Sequence, residues 1–468
     1  MYIRVLSPLL TLFLAITIML AFTHDTLQAR SGTRATEFKL ANGMQVVVVP
    51  DHRAPVVTHM AWYRVGAADE PPGVSGIAHF LEHLMFKSTD KIASGEFSKI
   101  VSRLGGQDNA FTSQDATAYF QRIAKDRLER IMQMEADRMV NLKLTEQEVL
   151  TERDVILEER RSRVENNPQA ILDEQMNAAL YYTHPYGIPV IGWEHEMAKL
   201  SREDAIAFYK RYYAPNNAIL VVSGDVTPEE VRRLAQESYG KVQANPAIVP
   251  RKRVVDPEQR AARRVELKDL RAGKASLQRY YVTPSYVTAG PGEAEALDLL
   301  MKIAASGSTS RLYQKLVVDE KIASSAGGWY SGSGLDSGKI ALYAVAADGV
   351  GLERVETGID AVLAEIRDHG VTDAELERAK TAYLADHVYE SDNQSTLARR
   401  YGWGLVIGRT VAEIDAWPER IAKVTLADVR KAAGTYLDLR RSVTGTLLPA
   451  APDGGATPLG ANGMPSRS

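Results

Sequence analysis

Short apolar runs alternate along this chain with longer amphipathic stretches, and the two periodicities outline an ordered set of elements. The fold is expected to start near Thr36. A turn at Gly43 leads into a nearly continuous apolar run over 44–49, the pattern of a buried strand. After a loop with Pro50 and Pro55 a second strand is expected over 56–65. Helical spacing over 95–104 stops at Gly105-Gly106. Residues 109–113 and 117–122 predict a hairpin turning at Gln114-Asp115-Ala116. Two highly charged amphipathic helices follow over 125–140 and 145–163, the second broken at Asn166-Asn167-Pro168. A helix over 202–212, a strand over 218–223 and a helix opened by Pro228 complete the first half.

The second half echoes the first. Leu200-Ser201 with Asp204 and Tyr212 returns as Val424-Thr425 with Asp428 and Tyr436, an offset of 224. Leu144-Thr145-Glu146 with Glu148 returns as Val371-Thr372-Asp373 with Glu375, an offset of 227. The expected fold class is therefore α+β, a duplicated unit of mainly antiparallel sheet with helices packed on it. The expected boundaries are 36–245 for the first unit, 246–268 for a linker rich in Pro, Arg and Lys, and 269–449 for the second unit. Residues 450–468, rich in Gly, Pro, Ala and Ser, are expected to be a disordered tail.

Composition narrows the chemistry. With 468 residues, 45% hydrophobic and 25% charged, the chain suits a globular protein of two or more domains. A net charge of −3 gives no reason to expect a nucleic-acid partner. There is no cysteine, so disulfides and thiolate-held metals are excluded. Residues 1–29 read as a signal peptide: Arg4, an apolar run over 9–22, and a cleavage site at Ala29. That run is short for a membrane span, so no stable span is expected after removal, and the folded part is expected in a periplasm. An uncleaved N-terminal anchor is the alternative.

One stretch carries candidate chemistry. His79 and His83 are separated by four positions on a predicted helix and share one face, with Glu82 between them. Ser75 is placed to cap its first turn. Two imidazoles on one face are a pair of zinc ligands, and an adjacent carboxylate can act as general base. The order His-x-x-Glu-His is that of inverzincins. The bland reading is two stacked polar residues on an amphipathic helix, against which stands the scarcity of histidine, nine in the chain. In the register of the repeat, Glu295, Asp298 and Leu299 on the helix over 293–304 replace His79, Glu82 and His83, so any metal chemistry belongs to the first half.

A catalytic zinc needs a third protein ligand. Composition leaves His24, His52, His59, His184, Glu152, Glu158 and Glu159 as candidates, the glutamates also reading as a solvated face.

The sequence resembles the insulinase (pitrilysin) family of zinc peptidases, which includes the mitochondrial processing peptidases. The resemblance runs from about Thr36 to Pro449 through an ordered set of motifs: the stretch 76–89 around His-x-x-Glu-His, Asn109-Ala110-Phe111-Thr112-Ser113, the acidic stretch 152–159, His184-Pro185-Tyr186-Gly187 and Asn216-Asn217-Ala218. It implies one zinc per chain on His79, His83 and Glu159, the last 76 residues after His83. It implies Glu152 as a supporting carboxylate of the catalytic apparatus and Glu82 as the group that takes a proton from water and returns it to the leaving amine. It also implies that the strand bearing Asn109, Ala110 and Phe111 pairs with an extended substrate.

The chain departs from that family at one place. Active members use an Arg followed seven residues later by a Tyr, and here those positions are Val317 and Ser324. Long members also have four α+β units in a closed clamshell, whereas this chain has two. The resemblance therefore implies half of a clamshell: the zinc-bearing subunit of a heterodimer, cleaving unfolded peptides, whose zinc-less partner contributes the Arg–Tyr pair. A non-catalytic peptide-binding subunit is the alternative.

Overall fold

The computed structural model describes residues 35–450. The expected signal segment, 1–29, and nearly all of the expected tail lie outside the described residues. In the first half, strands β1 (Thr36–Lys39), β2 (Gln45–Pro50), β3 (Val56–Tyr63), β4 (Gln107–Thr112), β5 (Thr117–Ala124) and β6 (Ala218–Gly224) form one sheet in the order β1-β2-β6-β3-β5-β4. Its longer helices are α1 (Ile77–Leu84), α2 (Glu96–Arg103), α3 (Leu128–Arg138), α4 (Glu146–Arg160), α5 (Pro168–Leu180), α6 (Arg202–Tyr212) and α7 (Pro228–Glu237).

In the second half, β7 (Arg263–Asp269), β8 (Ser276–Pro284), β9 (Ala323–Ser331), β10 (Ser337–Ala346) and β11 (Ser442–Pro449) form a sheet in the order β7-β11-β8-β10-β9. Its longer helices are α8 (Glu293–Ala304), α9 (Leu352–His369), α10 (Asp373–Glu390), α11 (Gln394–Val406) and α12 (Leu426–Tyr436). The two sheets match strand for strand once β1 is set aside. Each has a single parallel pair, β2 with β6 and β7 with β11, and each ends on an antiparallel hairpin. The echoed sequences turn out to be helix starts. Thr145 with Glu148, Ser201 with Asp204, Thr372 with Glu375 and Thr425 with Asp428 are all reciprocal capping boxes.

Each sheet packs its own helices on one face, giving two separate cores. The other face of each sheet is covered by a helix from the opposite half. From the first half, α5 lays Leu172, Met176 and Leu180 on β7 and β11 against Tyr280, Val443 and Leu447. From the second, α11 lays Leu397, Ala398, Tyr401 and Leu405 on β3 and β6 against Val47, Met60, Trp62 and Val221. This explains why β2 and β3 are buried on both sides rather than alternating between buried and exposed. Each large apolar side chain buried this way stabilises by about 1.5–3 kcal/mol. The exchanged helices together therefore contribute on the scale of a domain's whole net stability, about 5–15 kcal/mol.

Two expectations need correction. The stretch 246–268 is not wholly linker, because β7 begins at Arg263 and pairs in parallel with β11. The rest of it has no helix or strand but is pinned: Arg253 is buried against Asp69, Asp115 and Asp336, and Arg251 donates to the carbonyls of Asp115 and Val406. The helix expected over 145–163 is α-helical only to Arg160 and ends in a wider π turn, Arg161–Glu165. Among the described residues no helix is long and apolar enough to cross a membrane.

Candidate active site

The site is built on α1, which packs against α4, α6 and β4. Phe80, Leu81 and Leu84 are fully buried, which fixes the helix about its axis and sets the direction of the His79–Glu82–His83 face. Ser75 does not cap α1; its hydroxyl accepts the Trp193 N–H instead. The helix start is held by Glu70, whose carboxylate accepts the N–H groups of Gly76 and Ala78 at 2.9 and 2.8 Å. A carboxylate bonds two orphan donors and complements the helix dipole, which a serine cannot. Gly76 takes a left-handed conformation with φ +86°, and a Cβ there would lie 2.6 Å from the Ile191 carbonyl.

Helix α4 runs alongside. Glu152 and Glu159, seven residues apart, lie on one face of it and meet the two histidines. The Nε2 atoms of His79 and His83 lie 3.6 and 3.4 Å from Oε2 of Glu159. One donor atom from each of these three residues falls within a 4.8 Å span. Glu159 Oε2 is buried and has no hydrogen-bond partner, while its other oxygen is 2.7 Å from Arg163. Glu152 accepts from Nδ1 of His83 at 2.9 Å and is held by Lys87 at 2.5 Å. That bond leaves Nε2 of His83 aimed at Glu159.

The electrostatics follow from these neighbours. The bond to His83, with Lys87 behind it, holds the Glu152 carboxyl at about 2. Burial opposes a charge on His83, but the two carboxylates outweigh it and lift the imidazole to about 9. His79, more deeply buried and beside the His83 ring, falls to about 4. Burial raises the Glu82 carboxyl, against the pull of the Thr112 hydroxyl donated to Oε2 at 2.6 Å.

Of the other candidates for a third ligand, His24 lies outside the described residues. His52 pairs with Asp225, and His59 is buried between Gln121 and Tyr239. His184 faces Asp336 across the junction of the halves, and Glu158 points outward to Arg161. None of these four stands with His79 and His83 in the metal-sized cluster. Asn109, Ala110 and Phe111 lie on β4, the terminal strand of its sheet, so one edge of the strand is unpaired among the described residues. Residue-by-residue reading missed Thr112, Lys87 and Arg163. Arg163 was findable, since it stands four residues after Glu159 on a helix; Thr112 and Lys87 depend on which elements meet.

In the second half the equivalent helix, α8, holds no metal-ligand set. Glu295 is paired with Arg420 at 2.6 Å, Asp298 accepts the Tyr286 hydroxyl, and Leu299 is core. Val317 packs against the second core, and the Ser324 side chain is exposed.

Two imidazole nitrogens and a carboxylate oxygen, one of them an orphaned buried acceptor, are the donor set of a His₂Glu zinc centre, and the residues present fit that ion. Residues 45–193 match the model of insulinase (peptidase family M16), and residues 199–383 match that of the peptidase M16 inactive domain. Zinc protease PqqE of Helicobacter pylori is 30% identical over 413 residues, 88% of this chain and 92% of its own. The crystal structure of a protease from Helicobacter pylori superposes with a TM-score of 0.84 at 30% identity, over 89% of this chain and 99% of its own. The periplasmic protease PqqL from Escherichia coli shares the fold, with a TM-score of 0.75 at 19% identity; 89% of this chain covers 48% of it. Sheet order, helix placement and these matches together place the chain in the insulinase family, peptidase family M16.

Proposed function

We propose that this chain is a zinc-dependent endopeptidase acting on extended, unfolded peptides, and that it works as the metal-bearing half of a two-subunit clamshell. The observation that carries the reading is the convergence of His79, His83 and the orphaned Glu159 oxygen, with Glu82 alongside. Zinc held by those three side chains would supply Lewis acidity, making water more acidic and the scissile carbonyl more electrophilic.

The chain's own groups do the rest. Glu152 orients His83, and Lys87 orients Glu152. Glu82 accepts Thr112 on one oxygen and keeps the other for the proton of the attacking water, which it then hands to the leaving amine. Burial raises the Glu82 carboxyl above its ordinary range, which makes its ionised form a stronger base toward that water. The unpaired edge of β4 is available to bind substrate backbone by strand addition.

The subunit reading rests on two features. Val317 and Ser324 bring no hydrogen-bonding group able to reach a substrate carbonyl. The two sheets of the described residues also correspond to about half of the full PqqL fold, 48% of which this chain covers. Export to a periplasm rests on residues 1–29, and N-terminal sequencing of the secreted protein tests it. For the activity, the chain is purified alone and with its chromosomal neighbour, assayed on unstructured peptides, and its metal content measured. The Glu82→Gln variant should keep zinc and lose roughly 100- to 10,000-fold in turnover. Protein that binds no zinc, or a Glu82→Gln variant that cleaves normally, ends the enzyme reading. Full activity of the lone chain ends only the need for a partner.

A further inference from the structure

The catalytic groups occupy one face of β4, and the opposite face opens on a cavity of about 660 Å³ between the two halves. Successive residues of a strand point to opposite faces. Ala110 packs toward the first core and Thr112 reaches Glu82. Phe111 points the other way, 5.3 Å from the Trp62 ring and 6.2 Å from Trp403 of α11, and lines the cavity. Arg399, one turn before Trp403 on α11, lies with its guanidinium 5.0 Å from the Phe111 ring. Arg409, just beyond α11, lies 4.8 Å from the Tyr286 ring, and its guanidinium donates to the Glu413 carbonyl.

Three arginines, Arg399, Arg400 and Arg409, and three carboxylates, Asp298, Asp386 and Glu390, line the cavity, but they are not paired one to one. Glu390 is paired with Arg400 at 3.0 Å, and Asp386 lies 3.5 Å from Lys302. Asp298 accepts the Tyr286 hydroxyl, and burial favours its neutral form. Among the described residues no carboxylate lies within ion-pair distance of Arg399 or Arg409, although Asp298 and Glu295 act on Arg409 through space; both guanidiniums lie over aromatic rings. A guanidinium stacked on a ring still offers the in-plane N–H donors along its edge, and those donors suit a carboxylate.

We propose that this cavity is a subsite for a carboxylate-bearing side chain, Asp or Glu, of the peptide laid along β4, selected by Arg399 and Arg409. The inference rests on β4 being the peptide-pairing strand. A peptide added there alternates its side chains as β4 does, so neighbours of the residue that faces Glu82 fall on the Phe111 side.

The test uses the full-length Glu82→Gln protein, which holds peptide without cutting it. Labelled peptides in which one position at a time is Glu, Gln or Lys are titrated by fluorescence anisotropy, and the same set is cleaved by the unmodified protein together with any partner subunit it needs. At one register position Glu should bind about tenfold tighter than Gln, with a preference that weakens as salt rises. Arg399→Glu in the same background should reverse the order at that position so that Lys binds best, a gain that damage to the fold would not produce. An Arg399→Glu variant that keeps the acidic preference, or peptides that bind and are cleaved with no such preference, overturns the subsite alone. If no peptide binds and none is cleaved, the strand reading falls and the subsite with it.

Discussion

Glu82 and Asp298 occupy equivalent places on α1 and α8, and burial raises the pKa of both, Asp298 to about 7. What separates them is company. Glu82 sits among two imidazoles and Glu159, whereas Asp298 has a tyrosine hydroxyl and no ligand group. Asp298 should therefore act only on stability. An acid whose folded pKa is raised stabilises fully below its unfolded value, here near 3.8, and that contribution is lost as pH rises toward 7. Asp298→Asn keeps an acceptor for Tyr286 without the charge. Its melting temperature relative to the parent should rise between about pH 4 and 7 and level off above; parallel curves for the two proteins would refute the assignment. In the proposed metal centre, Glu152→Gln weakens the bond that orients His83 and should lower zinc affinity by about 10- to 100-fold, measured by chelator competition. The residues of that centre were readable to different depths. His79, Glu82 and His83 announce themselves by helical spacing alone. Glu159 needed the family's spacing, because Glu152, Glu158 and Glu159 look alike until a partner helix decides which side is inside. Thr112 and Lys87 had no local signal, since their roles arise from β4 and the end of α1 meeting Glu82 and α4.

At the scale of elements, strands β2, β3 and β6 and helices α6 and α8 fall close to where their periodicity predicts them, because each needs only its own local pattern. The destinations of α5 and α11 were not legible. Leu172, Met176 and Leu180 repeat every four residues as on any amphipathic helix, and nothing nearby says that the strands they cover, β7 and β11, begin 83 and 262 residues after Leu180. An indirect sign was present in Val46–Val49: four consecutive valines imply cover on both faces. The close fit of α11 makes a contrast that can be measured. A Cβ at Gly402 would fall 2.1 Å from the buried Trp62 indole, and one at Gly445 would fall 2.1 Å from the thioether of Met176. An indole wedged in a core has little room to move, whereas a methionine can re-thread. Gly402→Ala should lose at least about 1–3 kcal/mol in urea unfolding and Gly445→Ala clearly less. Equal losses would mean that α11 shifts as easily as a side chain.

Over the whole molecule, the stretch expected to be a loose linker is a fastening. Arg253 joins Asp69 ahead of α1, Asp115 at the tip of the β4–β5 hairpin and Asp336 in the β9–β10 turn. Removing a cation from buried carboxylates costs about 3–5 kcal/mol, so Arg253→Met should be among the most destabilising single changes in the chain, read as a fall in the urea midpoint. A loss within the range of an exposed ion pair, below about 1 kcal/mol, would show that water replaces the arginine. Proline and charge made the stretch look free because composition records what a segment is made of and not what grips it. The exchanged helices go further than this clasp. With α5 lying on one sheet and α11 on the other, the halves cannot swing apart without stripping an apolar face from each. Among the described residues the two halves are thus fastened to each other across both sheets. In the two-subunit clamshell proposed above, any widening that admits a long peptide would come from the partner moving against this chain.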